Sequence, residues 1–146
     1  MKKVRDILNA KGYATIHSVR PDAFVVEALQ MMAEKMVGAL LIVENGQLVG
    51  IFSERDYARK IALMDRSSRT TEIRQVMTTQ LVSVSPEDTM ESCMELMTDK
   101  HIRHLPVLEN GKLIGLISIG DLVKNIIEDQ KAMIQQLQQY MRGESY

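Results

Sequence analysis

Apolar positions in this chain fall into short blocks, and the blocks recur in the same order twice. Val25, Ala28, Leu29, Met32 and Met36 stand at helical spacing, as do Met90, Cys93, Met94 and Met97. A continuous apolar run follows each block, Ala39 to Val43 or Leu105 to Leu108. Next comes Asn45-Gly46 or Asn110-Gly111, the signal of a two-residue hairpin. Return strands at Leu48 to Phe52 and Leu113 to Ile117 lead into second helices starting near Ser53 and Ser118. Ahead of each helical block lies an extended run, Ala14 to Val19 or Leu81 to Val84, closed by Pro21 or Pro86. Acidic residues after each proline suit a helix start. Asp88 and Glu91 have the spacing of a capping box.

The two series are one unit used twice. Ile16 to Ile61 aligns with Leu81 to Ile126 at a constant shift of 65, with 14 of 46 positions identical. Val4 to Leu8 also echoes Ile73 to Met77, at a shift of 69, as a short amphipathic lead-in. Each unit predicts strand, helix, strand, turn, strand, helix. Three strands and two helices are marginal alone, so two copies are expected to share a core about a pseudo-twofold axis. The fold class is α/β (α+β), with small three-stranded sheets flanked by helices. The expected division is residues 1–65 for the first copy with its lead-in, a 66–72 linker, 73–129 for the second copy, and a 130–146 helical tail. The polar linker is either a solvated loop or an arm carrying Arg66 or Arg69 to a ligand. In the tail, apolar residues from Val123 to Met141 continue at helical spacing for about two heptads. That stretch either packs on the body or pairs two chains.

Composition narrows the function classes. A net charge of −1 leaves no basic field for a nucleic acid backbone. No run of 18 apolar residues predicts a membrane span, and no secretory signal is visible. Cys93 is the single cysteine, which fits a reducing, cytoplasmic setting. It stands on the apolar face of its helix and reads as core. Eleven methionines and no tryptophan suggest an aliphatic, adaptable core.

The candidate chemistry lies after each hairpin, at Gly50-Ile-Phe-Ser53-Glu-Arg-Asp56 and Gly115-Leu-Ile-Ser118-Ile-Gly-Asp121. Serine at a helix start with aspartate three residues on satisfies orphan N–H groups. The same corner can also attract phosphate or accept from ribose hydroxyls. These motifs, with His101-Ile-Arg-His-Leu-Pro-Val107, resemble a tandem pair of CBS domains (a Bateman module) over nearly the whole chain. The resemblance implies a stand-alone regulatory protein that binds AMP, ADP, ATP, NAD or S-adenosylmethionine, forms a homodimer, and signals to an unidentified partner. The Ser-Glu-Arg-Asp motif is similar to a bacterial subgroup for which nicotinamide or adenine nucleotides are expected.

Carried over residue by residue, the resemblance implies two clefts. One combines Thr15, His17, Val37 and Ala39 with Ser118, Gly120 and Asp121. The other combines Gln80, Val82, Ile102 and His104 with Ser53, Arg55 and Asp56. Gly50/Gly115, Ser53/Ser118 and Asp56/Asp121 form the expected common ribose corner. The copies differ at Gly38/Arg103, Ala39/His104 and Arg55/Gly120, which predicts unequal sites with phosphate drawn to Arg55, Arg103 and His104. His101 is read instead as a favourable cation at a helix C-terminus. No nucleophile–base–orienter set, metal cluster or Walker-type loop is visible, so no catalytic residue, metal or catalytic cofactor is expected. The alternative to a nucleotide sensor is a structural or protein-interaction domain with empty clefts.

Overall fold

The computed structural model describes residues 2–11 and 16–143. A lead-in helix α1 (Val4–Lys11) precedes the first copy. That copy runs β1 (Ser18–Val19), α2 (Val25–Lys35), β2 (Ala39–Glu44), β3 (Gln47–Ser53) and the turn α3 (Glu54–Asp56). A π-helical segment, Tyr57–Ala62, follows α3 directly. A 3-10 turn at Ile73–Gln75 opens the second half. There follow α4 (Met90–Lys100), β4 (His104–Glu109), β5 (Lys112–Ser118) and a long helix α5 (Ile119–Met141). The second helix of that copy and the expected tail are therefore one continuous helix.

Local chemistry explains most of these boundaries. Both hairpins turn at Asn-Gly with positive φ at both residues, 52° and 77° in one and 52° and 78° in the other. Both first helices end on a left-handed residue, Met36 or His101. The expected Asp88–Glu91 capping box does not form. Thr89 is the N-cap of α4, its side chain accepting from the Ser92 amide, while Asp88 accepts the Ser85 amide in the preceding turn.

The two sheets differ for a traceable reason. In the first copy β1, β2 and β3 form one sheet, with the Leu41 amide donating to the His17 carbonyl. In the second copy the named strands are β4 and β5, and the expected first strand is reduced to a single bridge at Val84–Val107. The residue equivalent to Leu41 is Pro106, which has no N–H to donate. Val82 is thereby denied the ladder bond that His17 receives.

The lead-ins are exchanged. Val4, Ile7 and Leu8 of α1 are buried in the core of the second copy, with Cys93, Met97, Leu105 and Ile117. Ile73 and Val76 are buried in the core of the first copy, with Val25, Leu40 and Phe52. The same backbone bonds join each lead-in to its host. Val4 N–H donates to the Asp88 carbonyl (2.8 Å), and Ile73 N–H to the Ala23 carbonyl (2.8 Å). Arg5 and Arg74 repeat this at Pro86 (2.9 Å) and Pro21 (3.0 Å). Met90 N–H donates back to the Lys2 carbonyl, and Val25 N–H to that of Thr71. Each fully buried aliphatic side chain contributes on the order of 1.5–3 kcal/mol, so a lead-in is a substantial part of its host's core. The N-terminal lead-in thus precedes the first copy in sequence and packs on the core of the other.

Gly50 and Gly115 make the exchange possible. A Cβ at Gly50 would lie 2.6 Å from Met77 Sδ and 3.2 Å from the Thr78 carbonyl oxygen. At Gly115 it would lie 2.8 Å from Leu8 Cδ2. Either alanine substitution is expected to cost about 1–3 kcal/mol in urea denaturation. Gly50→Ala should cost more, because a backbone carbonyl yields less readily than a leucine methyl. Leu8→Ala should cost less in the Gly115→Ala background than alone, and additive costs would refute that direct contact.

Candidate functional site

Strands β3 and β5 end on the two serines, and each serine caps the helix that follows. Ser53 Oγ accepts the Asp56 amide (3.2 Å), while Asp56 Oδ2 accepts the Ser53 amide (2.9 Å) and hydroxyl (3.1 Å). Ser118 Oγ accepts the Asp121 amide (3.1 Å), and Asp121 Oδ2 accepts the Ser118 amide (2.8 Å). Both motifs are therefore complete capping boxes.

Each aspartate also holds a segment outside its own box. Asp56 Oδ1 accepts from Thr78 Oγ1 (3.1 Å) and pairs with Lys60 Nζ (3.0 Å). Lys60 donates further to the Val76 carbonyl (2.9 Å). Asp121 Oδ2 pairs with Lys11 Nζ (2.8 Å), which also donates to the Leu116 carbonyl. Asp56 is buried with its charge matched by four donors, as a buried carboxylate requires.

A cavity of about 400 Å3 opens beside Asp56. One wall comes from the first copy: Gly38, Ile51, Ser53, Glu54, Arg55 and Asp56. The other comes from the second half of the chain: Thr78, Ile102, Arg103 and His104. The structure thus brings together six residues expected in the second cleft or at its differing positions from Ser53 to His104, and Gly38 with them. Gln80 and Val82 do not line this cavity; Gln80 is exposed and Val82 packs against the second core. Ile51, Glu54 and Thr78 were not among the expected site residues. Ile51 and Glu54 lie inside the Gly-to-Asp motif and could have been drawn from it. Thr78 carries no motif, and only the folding of its segment against β3 brings it to Asp56.

Of the other expected cleft, Thr15 lies outside the described residues. Val37 packs against the first core, and Ala39 is buried at the start of β2. His17 contributes its carbonyl to the sheet. Ser118 and Asp121 form their capping box with Lys11 upon it, and a Cβ at Gly120 would meet only Ser118 Oγ, at 3.6 Å. The expected common corner also contracts. Gly50 and Gly115 face the exchanged lead-ins, so serine and aspartate alone face the corner.

Charge in the cavity is mixed. Arg55 Nη1 donates to the carbonyl of His101 (2.5 Å), the left-handed cap of α4, where a cation suits the helix dipole. The Arg103 carbonyl accepts the Ile119 amide, and the residue lines the cavity. His104 packs against Gly38 at 3.6 Å from an added Cβ, so a side chain there would crowd the imidazole. Burial holds the His104 pKa below its ordinary 6.5; Asp121 and Glu54 pull the other way, and Lys11 and Arg103 oppose a further positive charge. Cys93 lies in the core, where burial foremost, and then Asp88, pushes its thiol up to about 11. Among the described residues no group of three His, Cys, Asp or Glu could hold a metal ion.

A model of the CBS domain matches residues 4–63 and again 73–128. The chain belongs to the CBS-domain family. It is 37% identical to the mitochondrial CBS domain-containing protein CBSX3 of Arabidopsis thaliana, over 96% of this chain and 72% of that protein. A solved structure from Burkholderia ambifaria, a protein with CBS domains and a provisional signal-transduction assignment, is 50% identical. It matches with a TM-score of 0.86 over 88% of this chain and 96% of its own. The hexameric CBS-CP12 protein of bloom-forming cyanobacteria is 26% identical, with a TM-score of 0.74 over 84% of this chain and 70% of its own. CBS pairs are in general regulatory, ligand-binding modules and typically non-catalytic. No helix among the described residues of this pair is long and apolar enough to cross a membrane.

The lowered pKa of His104 makes stability pH-dependent with a definite sign. The unfolded chain takes up this proton before the folded one as pH falls. The stabilisation is full above the ordinary 6.5 and is lost as pH drops through the lower folded value. The melting temperature is expected to fall on acidification from 6.5 down through that lower value, and His104→Gln should flatten the fall. An unchanged slope in the variant would show that another group carries it.

Proposed function

We propose that this CBS pair is a non-catalytic sensor of adenine nucleotides, AMP, ADP, ATP or NAD, that passes its ligand state to a partner protein. The observation that carries the reading is the two-sided wall of the Asp56 cavity, drawn from both copies. A ligand there touches both, and it favours one relative arrangement by as much as its affinities for the two differ. The volume suits a small ligand. Ile51 and Ile102 offer apolar surface to a base, the Ser53–Asp56 corner polar groups to a ribose, and Arg103 a fork for phosphate. The Asp121 corner, with Lys11 on its carboxylate where Asp56 has Lys60 and Thr78, is the second and unequal site. Two chains act together as a homodimer in this reading; the CBS-CP12 relative is hexameric.

Ribose hydroxyls would have to replace Thr78 and Lys60 on Asp56 Oδ1. Release of that contact frees the segment that carries the second lead-in out of the first copy, which is a direct route from ligand to inter-copy geometry. The same saturated carboxylate is the one observation favouring the second reading, a structural domain whose clefts stay empty.

Thermal shift with millimolar AMP, ADP, ATP and NAD separates these readings. A ligand present at 100 times its dissociation constant adds about 2.7 kcal/mol. Arg103→Ala is expected to weaken a phosphate-bearing ligand by about tenfold or more, and adenosine much less. Absence of any shift, together with no small molecule in mass spectrometry of the purified protein, would favour the structural reading.

A further inference from the structure

Helix α5 outruns the body it belongs to. Leu122 and Asn125 are buried, but every residue from Ile127 to Gln138 is exposed. An isolated stretch of that length is marginal as a helix in water unless something packs on it. Its apolar residues are not scattered. Val123, Ile127, Gln130, Ile134, Leu137 and Met141 follow one another at spacings of four and three, the seam of a coiled coil. The five apolar members of that seam are all exposed. Met133 and Tyr140, also exposed, widen it on one flank.

The chemistry of the seam points to its own likeness. From Ala132 to Met141 the helix has no charged residue, so a charged partner surface finds no complement. Glutamine both donates and accepts, so a glutamine-flanked surface matches a copy of itself. Gln130 is the one polar residue in the seam, and a polar group there is costly unless it meets another. Parallel, in-register pairing sets Gln130 against its counterpart. Antiparallel pairing about the Ile134–Leu137 layer sets it against Met141. Parallel pairing also covers Val123 and Ile127, where the seam runs onto the body. On the remaining flank, Lys124 and Lys131 can then lie along apolar residues of the other helix with their charges in water.

We propose that α5 pairs with α5 of a second copy as a parallel, in-register two-stranded coiled coil, with Gln130 setting the register. This rests on the homodimer reading above and adds its seam, direction and register. It makes the tail a lever fixed at Ser118, so that movement at the Asp121 corner is carried along α5 into the dimer.

Sedimentation velocity of the full chain at micromolar concentration, with single-cysteine cross-linking, tests this. Cys93 is buried with its thiol held protonated, so it does not compete. Ile134→Asp is expected to weaken association by about 100-fold, with the melting of the body retained because Ile134 makes no part of the core. Leu137→Cys should form a disulfide-linked dimer under mild oxidation. A dimer that survives Ile134→Asp overturns the seam and leaves the homodimer standing. Cross-linking only between mixed Ile134→Cys and Leu137→Cys chains overturns the parallel direction. A wild-type monomer overturns both the seam and the homodimer.

Discussion

The structure depends on the exchange of lead-ins between the two copies. Each copy offers a sheet face that its own helices cover only in part, and the remaining cover arrives from the segment preceding the other copy. The backbone bonds that seat Val4 and Ile73 are the same bonds at equivalent positions. Burial of Ile7 and Val76 then ties the stability of each copy to the placement of the other. A pair built this way resists separation into independent domains, because removing one copy strips a core segment from its neighbour. Arg5 strengthens one side of the exchange by pairing with both Glu109 and Glu87, which hold its guanidinium firmly charged.

The exchange also accounts for the site. The chain leaving the second lead-in passes β3 at Ile51 and Thr78 and brings the Thr78 hydroxyl to Asp56. The first lead-in ends with Lys11 on Asp121. The corner aspartates therefore do two things: they cap their helices, and they hold the segments that cross between copies. A ligand at such a shared contact would shift the pair by as much as its affinities for the two arrangements differ. The unequal corners follow from unequal partners, a hydroxyl and a lysine at Asp56 and a lysine at Asp121.

Much of this was legible from the residues alone. Apolar spacing located α2 and α4, Asn-Gly pairs located both hairpins, and the Ser-x-x-Asp repeats located two capping boxes. Those signals are local, and local sterics and hydrogen bonding decide them. Reading failed where a residue's role depends on what lies across from it. Gly50 and Gly115 stood out as matching positions and were placed at the ribose corner, yet their lack of a Cβ serves Met77 and Leu8. Arg55 lines the cavity as a candidate phosphate fork, but its contact with the end of α4 through the His101 carbonyl was not legible.

Sequence by itself determined the repeat, its elements and the chemistry available at each corner, because those depend on neighbours a few residues apart. Only the tertiary structure decided which lead-in completes which core, and which residues join Asp56 around its cavity. Both outcomes come from contacts between segments distant in sequence, Val4 with Asp88 and Ile73 with Ala23 among them, whose pairing no local preference dictates. The loss of the strand at Val82 shows the two levels meeting. Pro106 is plain in the sequence, but the ladder bond it cannot make exists only once β4 lies beside the chain at Val84.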